Sequence, residues 1–260
     1  MIYFVGAGPG AADLITLRGA RLLAEADVVV YAGSLVNREL LASCKPTCKI
    51  HDSSHMTLDQ TTSILVEAAS AGKACVRLHT GDPALYGAIR EQMDKLDEAD
   101  VDYQVVPGVS SLFGAAAALG AELTVPEVSQ TLIVTRAQGR TPVPEREQLR
   151  ELAAHGSTMA LFLSAALLDK AQEDLLAGAY EEDTPAALVV RATWPDERVY
   201  RCTVGTLAQC AQNNNVRKTA MVLIGNALEA HGTRSHLYSP AFGHEYRAAL
   251  ATDQEERQCE

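Results

Sequence analysis

Aromatic and basic residues are scarce in this chain. Phe, Trp and Tyr make up 5% of its 260 residues, and Trp194 is the only tryptophan. Lys and Arg number 22 against 33 Asp and Glu, for a formal net charge of −11. Such a surface argues against nucleic-acid binding, which needs clustered Lys and Arg. It leaves room for an anionic small molecule, since a local basic patch can lie inside an acidic protein. No apolar run reaches the roughly 18 residues expected of a membrane span. No basic and apolar leader precedes the strand-like opening MIYFVG, so no signal peptide is expected and the expected location is the cytoplasm. The six cysteines lack CxxC spacing and read as reduced thiols. Cys44 and Cys48 could in principle ligate a metal with His51 and His55, but lone Cys and His residues are usually structural, so no metal is expected. Low-complexity tracts and internal repeats are also missing.

What is present is alternation. Short apolar runs at 2–5, 28–31, 74–78 and 103–106 read as strands, separated by helical spacing over 14–25, 57–71 and 84–98. An Ala-rich helix follows over 110–120. The pattern then restarts, with strands near 131–135, 158–163, 186–191, 198–203 and 219–225 and helices near 145–155, 165–177 and 204–213. This implies an α/β protein of two α/β domains with mostly parallel sheets and helices on their faces. The expected units are 1–123 and 124–233, with a polar tail over 234–260.

Three expected strand-to-helix turns carry Gly or Pro with small polar residues. Gly6-Ala7-Gly8-Pro9-Gly10 follows the first strand. It fits the loose form of a dinucleotide fingerprint, but Pro9 removes an amide from the phosphate cradle. The second strand ends in Tyr31-Ala32-Gly33 without a ribose-binding acid, and Asp27 lies at its wrong end. In His79-Thr80-Gly81-Asp82-Pro83, Asp82 either caps the next helix or faces a ligand. In Pro107-Gly108-Val109-Ser110-Ser111 the hydroxyls either cap the Ala-rich helix or line the same crevice. Open α/β sheets bind ligands at the carboxyl ends of their strands, so three such turns on one edge mark a site.

The segments GAGPG–TLRGARLL, VVYAGSLV, RLHTGDPALYGAI, VVPGVSS and TVPEVSQTLIVTR resemble, in order and spacing, the tetrapyrrole methyltransferases. The resemblance covers about residues 1–230. Within the family, YAGSLV, HTGDPALYGAI and ATWPDE are similar to the members acting at C11 of precorrin-4, and GRTPVP is similar to the cobalt branch. The resemblance implies S-adenosylmethionine folded into a cleft between two domains, a tetrapyrrole beside it, and a homodimer. Carried over position by position, it implies cofactor contacts at Pro9, Thr80, Gly81, Asp82, Leu85, Ser110 and Ser111, and from the second domain at Ser164 and Ala187. Ser110 stands where relatives often have Thr.

A sulfonium methyl transfer releases a neutral leaving group, so alignment and exclusion of water are expected to outweigh acid–base chemistry, and no catalytic base is named. A polycarboxylate substrate calls for cations, best supplied by Arg. Candidates are Arg136, Arg140, Arg191, Arg217 and Lys218, each against the reading of a solvated surface charge. Tyr31 and Ser34 either line the trough or end the second strand. Trp194 is either core or a stacking ring, and His79 reads as structural rather than as a proton carrier. Two rivals stay open: a methyltransferase of this fold acting at C2, C17 or C20 or on uroporphyrinogen, and an NAD-binding α/β module.

Overall fold

A computed structural model describes residues 1–230 and 238–249, except the side chain of Ser34. The chain forms two five-stranded sheets. The first holds β1 (Ile2–Gly6), β2 (Val28–Tyr31), β3 (Lys49–Asp52), β4 (Cys75–His79) and β5 (Tyr103–Val106), in the order β3-β2-β4-β1-β5 and parallel throughout. Its inner strands β1 and β2 are apolar on both faces, as a doubly covered parallel sheet requires. Val5, Val29, Val76 and Leu78 pack under α1 (Leu17–Glu25). Ile2, Phe4, Val28 and Val30 pack under α2 (Leu58–Ser70) and α3 (Ile89–Glu98). Thr57 caps α2 in a reciprocal capping box with Gln60.

The second sheet holds β6 (Leu132–Arg136), β7 (Thr158–Phe162), β8 (Pro185–Val190), β9 (Arg198–Thr203) and β10 (Ala220–Ile224), in the order β6-β7-β10-β8-β9. Five of the eight strand pairings in the two sheets are parallel, but the second sheet contributes only one, β6 with β7. Its other three are antiparallel. The turn 191–197 is too short for a crossover helix, so β8 and β9 form a hairpin. One face is covered by α5 (Leu149–Ala153), α6 (Leu168–Leu176) and α7 (Leu207–Asn213).

The other face is covered by α4 (Ser111–Leu119), which follows β5 in sequence yet packs on the second sheet. Leu112, Ala115, Ala116 and Leu119 bury against Ala160, Ala187, Val189 and Leu223. The run of alanines lets helix and sheet approach closely. Gly120 ends α4 in a left-handed conformation (φ +61°), and Arg201 donates to the Leu119 carbonyl at 2.7 Å. Of the tail, residues 238–249 form tight turns with one bridge, His244 to Arg247; 234–237 and 250–260 lie outside the described residues. No helix among the described residues is long and apolar enough to cross a membrane.

Candidate functional site

Strand order brings the three motif turns together. β4, β1 and β5 are neighbours in the first sheet, so the turns after them leave the same edge side by side. They touch backbone to backbone. Gly8 and Gly81 exchange two hydrogen bonds, at 3.3 and 2.8 Å. A Cβ on Gly6 would lie 2.5 Å from the Gly108 Cα, and one on Gly108 would lie 2.2 Å from the Gly81 carbonyl oxygen. Only glycine permits this knot. Asp82 braces it, because its Oδ2 accepts from the Gly108 amide at 2.9 Å and its Oδ1 from the Ala84 amide at 2.8 Å. The first turn does not lead directly into a helix: a 3-10 turn at Ala12–Leu14 intervenes and α1 starts only at Leu17. A pyrophosphate cradle at a helix N-terminus is therefore not formed, which removes the dinucleotide reading.

The knot faces the second sheet across a cavity of about 510 Å³. That size suits an organic cofactor or substrate. Pro9, Thr80, Gly81, Asp82, Leu85, Ser110 and Ser111 form one wall, and Arg191, Arg217 and Lys218 stand on the other with Val189, Trp194 and Met221. Ser110 also caps α4, its Oγ accepting from the Leu112 amide at 3.3 Å. Arg191 pairs with Asp196 at 2.6 Å and lies 4.1 Å above the Trp194 ring. Arg217 and Lys218 are exposed and have no carboxylate partner among the described residues.

Six of the residues singled out in the sequence stand elsewhere. Ser164 is fully buried, with its hydroxyl donating to the Phe162 carbonyl and accepting from the Ala137 amide. Ala187 lies in the α4 interface, two residues before the wall residue Val189 and on the same face of β8. Arg136 straps its own loop, donating to the carbonyls of Thr141 and Pro142. Arg140 is exposed away from the cavity. The Tyr31 hydroxyl donates to Asp52 at 2.8 Å. Ser34 lies in the 3-10 turn Gly33–Leu35, and its side chain is outside the described residues. Cys44 and Cys48 form no metal-holding group with His51 and His55 among the described residues, and burial pushes the Cys44 thiol up to about 11.

The lobes are latched beside the cavity. Trp194 Nε1 donates to the Pro9 carbonyl at 3.2 Å, and the Ala11 amide donates to Thr193 Oγ1 at 2.9 Å. The Tyr86 and Phe162 rings meet at 5.1 Å from the two sides. Tyr86, Leu163, Arg191 and Thr219 line the cavity with left-handed backbones, φ between +52° and +56°. Such strain in non-glycine residues persists where the surroundings enforce it, often at functional sites. Composition and periodicity carry no trace of it, so Leu163 and Thr219 escaped the sequence reading.

A parallel sheet and a mixed sheet closing on a ligand-sized cleft, with glycine turns on one wall and cations on the other, define a two-lobed α/β protein with a site between its lobes. The chain belongs to the Tetrapyrrole (Corrin/Porphyrin) Methylases, whose family pattern matches residues 1–208. A solved cobalt precorrin-4 methyltransferase, a cobalamin biosynthetic enzyme, is similar in structure with a TM-score of 0.86 and 49% identity, over 88% of this chain and 96% of that one. The uroporphyrin-III C-methyl transferase of Thermus thermophilus complexed with S-adenosyl homocysteine reaches 0.74 at 28% identity, over 88% and 93%. In sequence, the cobalt-precorrin-4 C(11)-methyltransferase of Methanocaldococcus jannaschii is 48% identical over 247 residues, 95% of each chain. The precorrin-4 C(11)-methyltransferase of Rhodococcus erythropolis is 47% identical over 240 residues, 92% of this chain and 96% of that one.

Proposed function

We propose that the chain transfers the methyl group of S-adenosylmethionine to C11 of cobalt-precorrin-4 or precorrin-4 in cobalamin biosynthesis. The observation that carries this reading is the cleft on which the Pro9, Asp82 and Ser110 turns meet Arg217 and Lys218 of the other lobe, which have no carboxylate partner among the described residues. The 48% identity to a C(11)-methyltransferase, against 28% to a uroporphyrin-III enzyme, favours C11 over other ring positions. We extend the proposal to a homodimer, as the family resemblance implies, and to a cytoplasmic enzyme.

The wall fits a nucleoside sulfonium. Its glycine knot lets a ligand approach the backbone, and Asp82 retains acceptor capacity beyond its two amide bonds. The bound donor supplies an electrophilic methyl and leaves as a neutral thioether. Gly81, Asp82, Ser110 and Ser111 hold and orient it, while Leu85, Phe162, Val189 and Met221 exclude water. Arg191, Arg217 and Lys218 receive substrate carboxylates.

The test is an anaerobic product assay on cobalt-precorrin-4 and on the metal-free form, with NMR locating the new methyl group. A methyl group at C11 is expected. Methylation at C2, C17 or C20 would overturn the C11 reading, and failure to bind S-adenosylhomocysteine in calorimetry would overturn the methyltransferase reading.

A further inference from the structure

The main cavity has a neighbour. A second cavity of about 330 Å³ shares Leu35, Thr80, Leu85 and Tyr86 with it, and β4 contributes Arg77 and His79 to its lining. These two residues alternate along the strand and so lie on the same face of the sheet. Both are buried, at 6% and 3% exposure. Arg77 Nε donates to Gln92 Oε1 at 2.9 Å and Nη1 to the Val30 carbonyl at 3.2 Å. Both acceptors are neutral, and no carboxylate pairs with this guanidinium among the described residues. Buried charges are normally paired, because desolvation without a counter-charge is costly. Here that cost brings the Arg77 pKa down to about 10. Beside it, His79 Nε2 is buried without a hydrogen-bond partner among the described residues. Burial first, and Arg77 second, hold the imidazole neutral at ordinary pH, with its pKa lowered to about 3. A neutral imidazole can carry its proton on Nε2 and donate it.

We propose that this second cavity is a carboxylate subsite, in which Arg77 and His79 receive an acetate- or propionate-type side chain of the macrocycle seated in the main cavity. An anion supplies the counter-charge that Arg77 lacks, and its two oxygens provide acceptors for both the guanidinium and the orphaned imidazole. Glu91, the one carboxylate on this cavity's wall, is exposed and makes no ion pair with Arg77. The inference rests on the methyltransferase reading for the identity of the macrocycle; the anion-binding character rests on Arg77 and His79 alone.

The test uses the full chain with ¹⁵N-labelled histidine. Sodium propionate is expected to shift the His79 ring resonances saturably, while sodium chloride at equal ionic strength leaves them in place. Arg77→Lys and His79→Gln are expected to raise KM for cobalt-precorrin-4 by about tenfold or more, the loss of one charge-assisted hydrogen bond, with the S-adenosylhomocysteine Kd within about twofold. Should either variant fold poorly, the propionate titration of the unmodified chain decides. Unmoved His79 resonances, or an unchanged KM in both folded variants, would overturn the subsite. Cofactor affinity falling as far as substrate affinity would assign the cavity to the cofactor and overturn it equally. Failure of the methyltransferase reading is separately visible, as absent S-adenosylhomocysteine binding in a chain whose His79 still answers propionate.

Discussion

Asp82 holds two amides from two different turns, so its carboxylate shapes the cleft as well as facing it. Asp82→Ala is expected to weaken S-adenosylhomocysteine binding about tenfold or more, through one lost charge-assisted bond and a loosened Gly108 turn. Calorimetry checks it, and unchanged affinity would refute the role. His79 makes a different prediction. Its ordinary pKa of 6.5 falls to about 3 on folding. Between those values the unfolded chain takes up a proton that the folded chain refuses. This contribution to stability is full above pH 6.5 and declines below it, by at most about 1.4 kcal/mol per pH unit. Urea unfolding at about pH 7 and pH 5 should therefore lose less stability for His79→Gln than for the unmodified chain. At this scale the sequence was informative wherever a residue type has few uses. Gly6, Gly8 and Gly81 after strands announced close backbone approach. Ser164 and Ala187 were opaque, because nothing local distinguishes a serine spent on two internal bonds from one facing a ligand.

Among the elements, α4 and the 191–197 turn decide how the lobes meet. A Cβ at Gly10 would fall 2.2 Å from Trp194 Cδ1, and one at Gly114 would fall 3.0 Å from the Pro9 Cβ. Gly10→Ala is therefore expected to push Trp194 off the Pro9 carbonyl and to destabilise the fold by about 1–3 kcal/mol, as overpacking does. A lowered Tm with altered tryptophan fluorescence would confirm it, and an unchanged Tm would show the latch to be slack. The helices over 58–70 and 111–119 were legible to within about two residues because Thr57 and Ser110 cap them. The helix expected over 84–98 begins only at Ile89, because Tyr86 and Ala88 take left-handed backbones. β3 was missed: at an edge, with Lys49 and Ile50 exposed and His51 and Asp52 half-buried, it shows no apolar pattern.

For the molecule as a whole, net charge and local charge oppose each other. A chain of net charge −11 repels a polycarboxylate, yet Arg217 and Lys218 stand on the cavity with no carboxylate partner among the described residues. Replacing both by Ala is expected to raise KM for cobalt-precorrin-4 roughly tenfold while leaving S-adenosylhomocysteine affinity unchanged, since exposed ion pairs are individually weak and act here together. Steady-state kinetics with parallel calorimetry checks the split; equal KM would return both residues to the solvated surface. Composition, the order of strands and helices apart from β3, and the chemistry of the three turns were determined by the sequence alone, because they depend on neighbours a few residues apart. The tertiary structure decided the rest. It set β4 and β5 on either side of β1, sent α4 to the second sheet, made that sheet mainly antiparallel, and, among the described residues, left Arg77 buried without a counter-charge and His79 Nε2 without a hydrogen-bond partner. Those outcomes depend on contacts between segments far apart in the chain, where packing and desolvation, rather than local periodicity, select the arrangement.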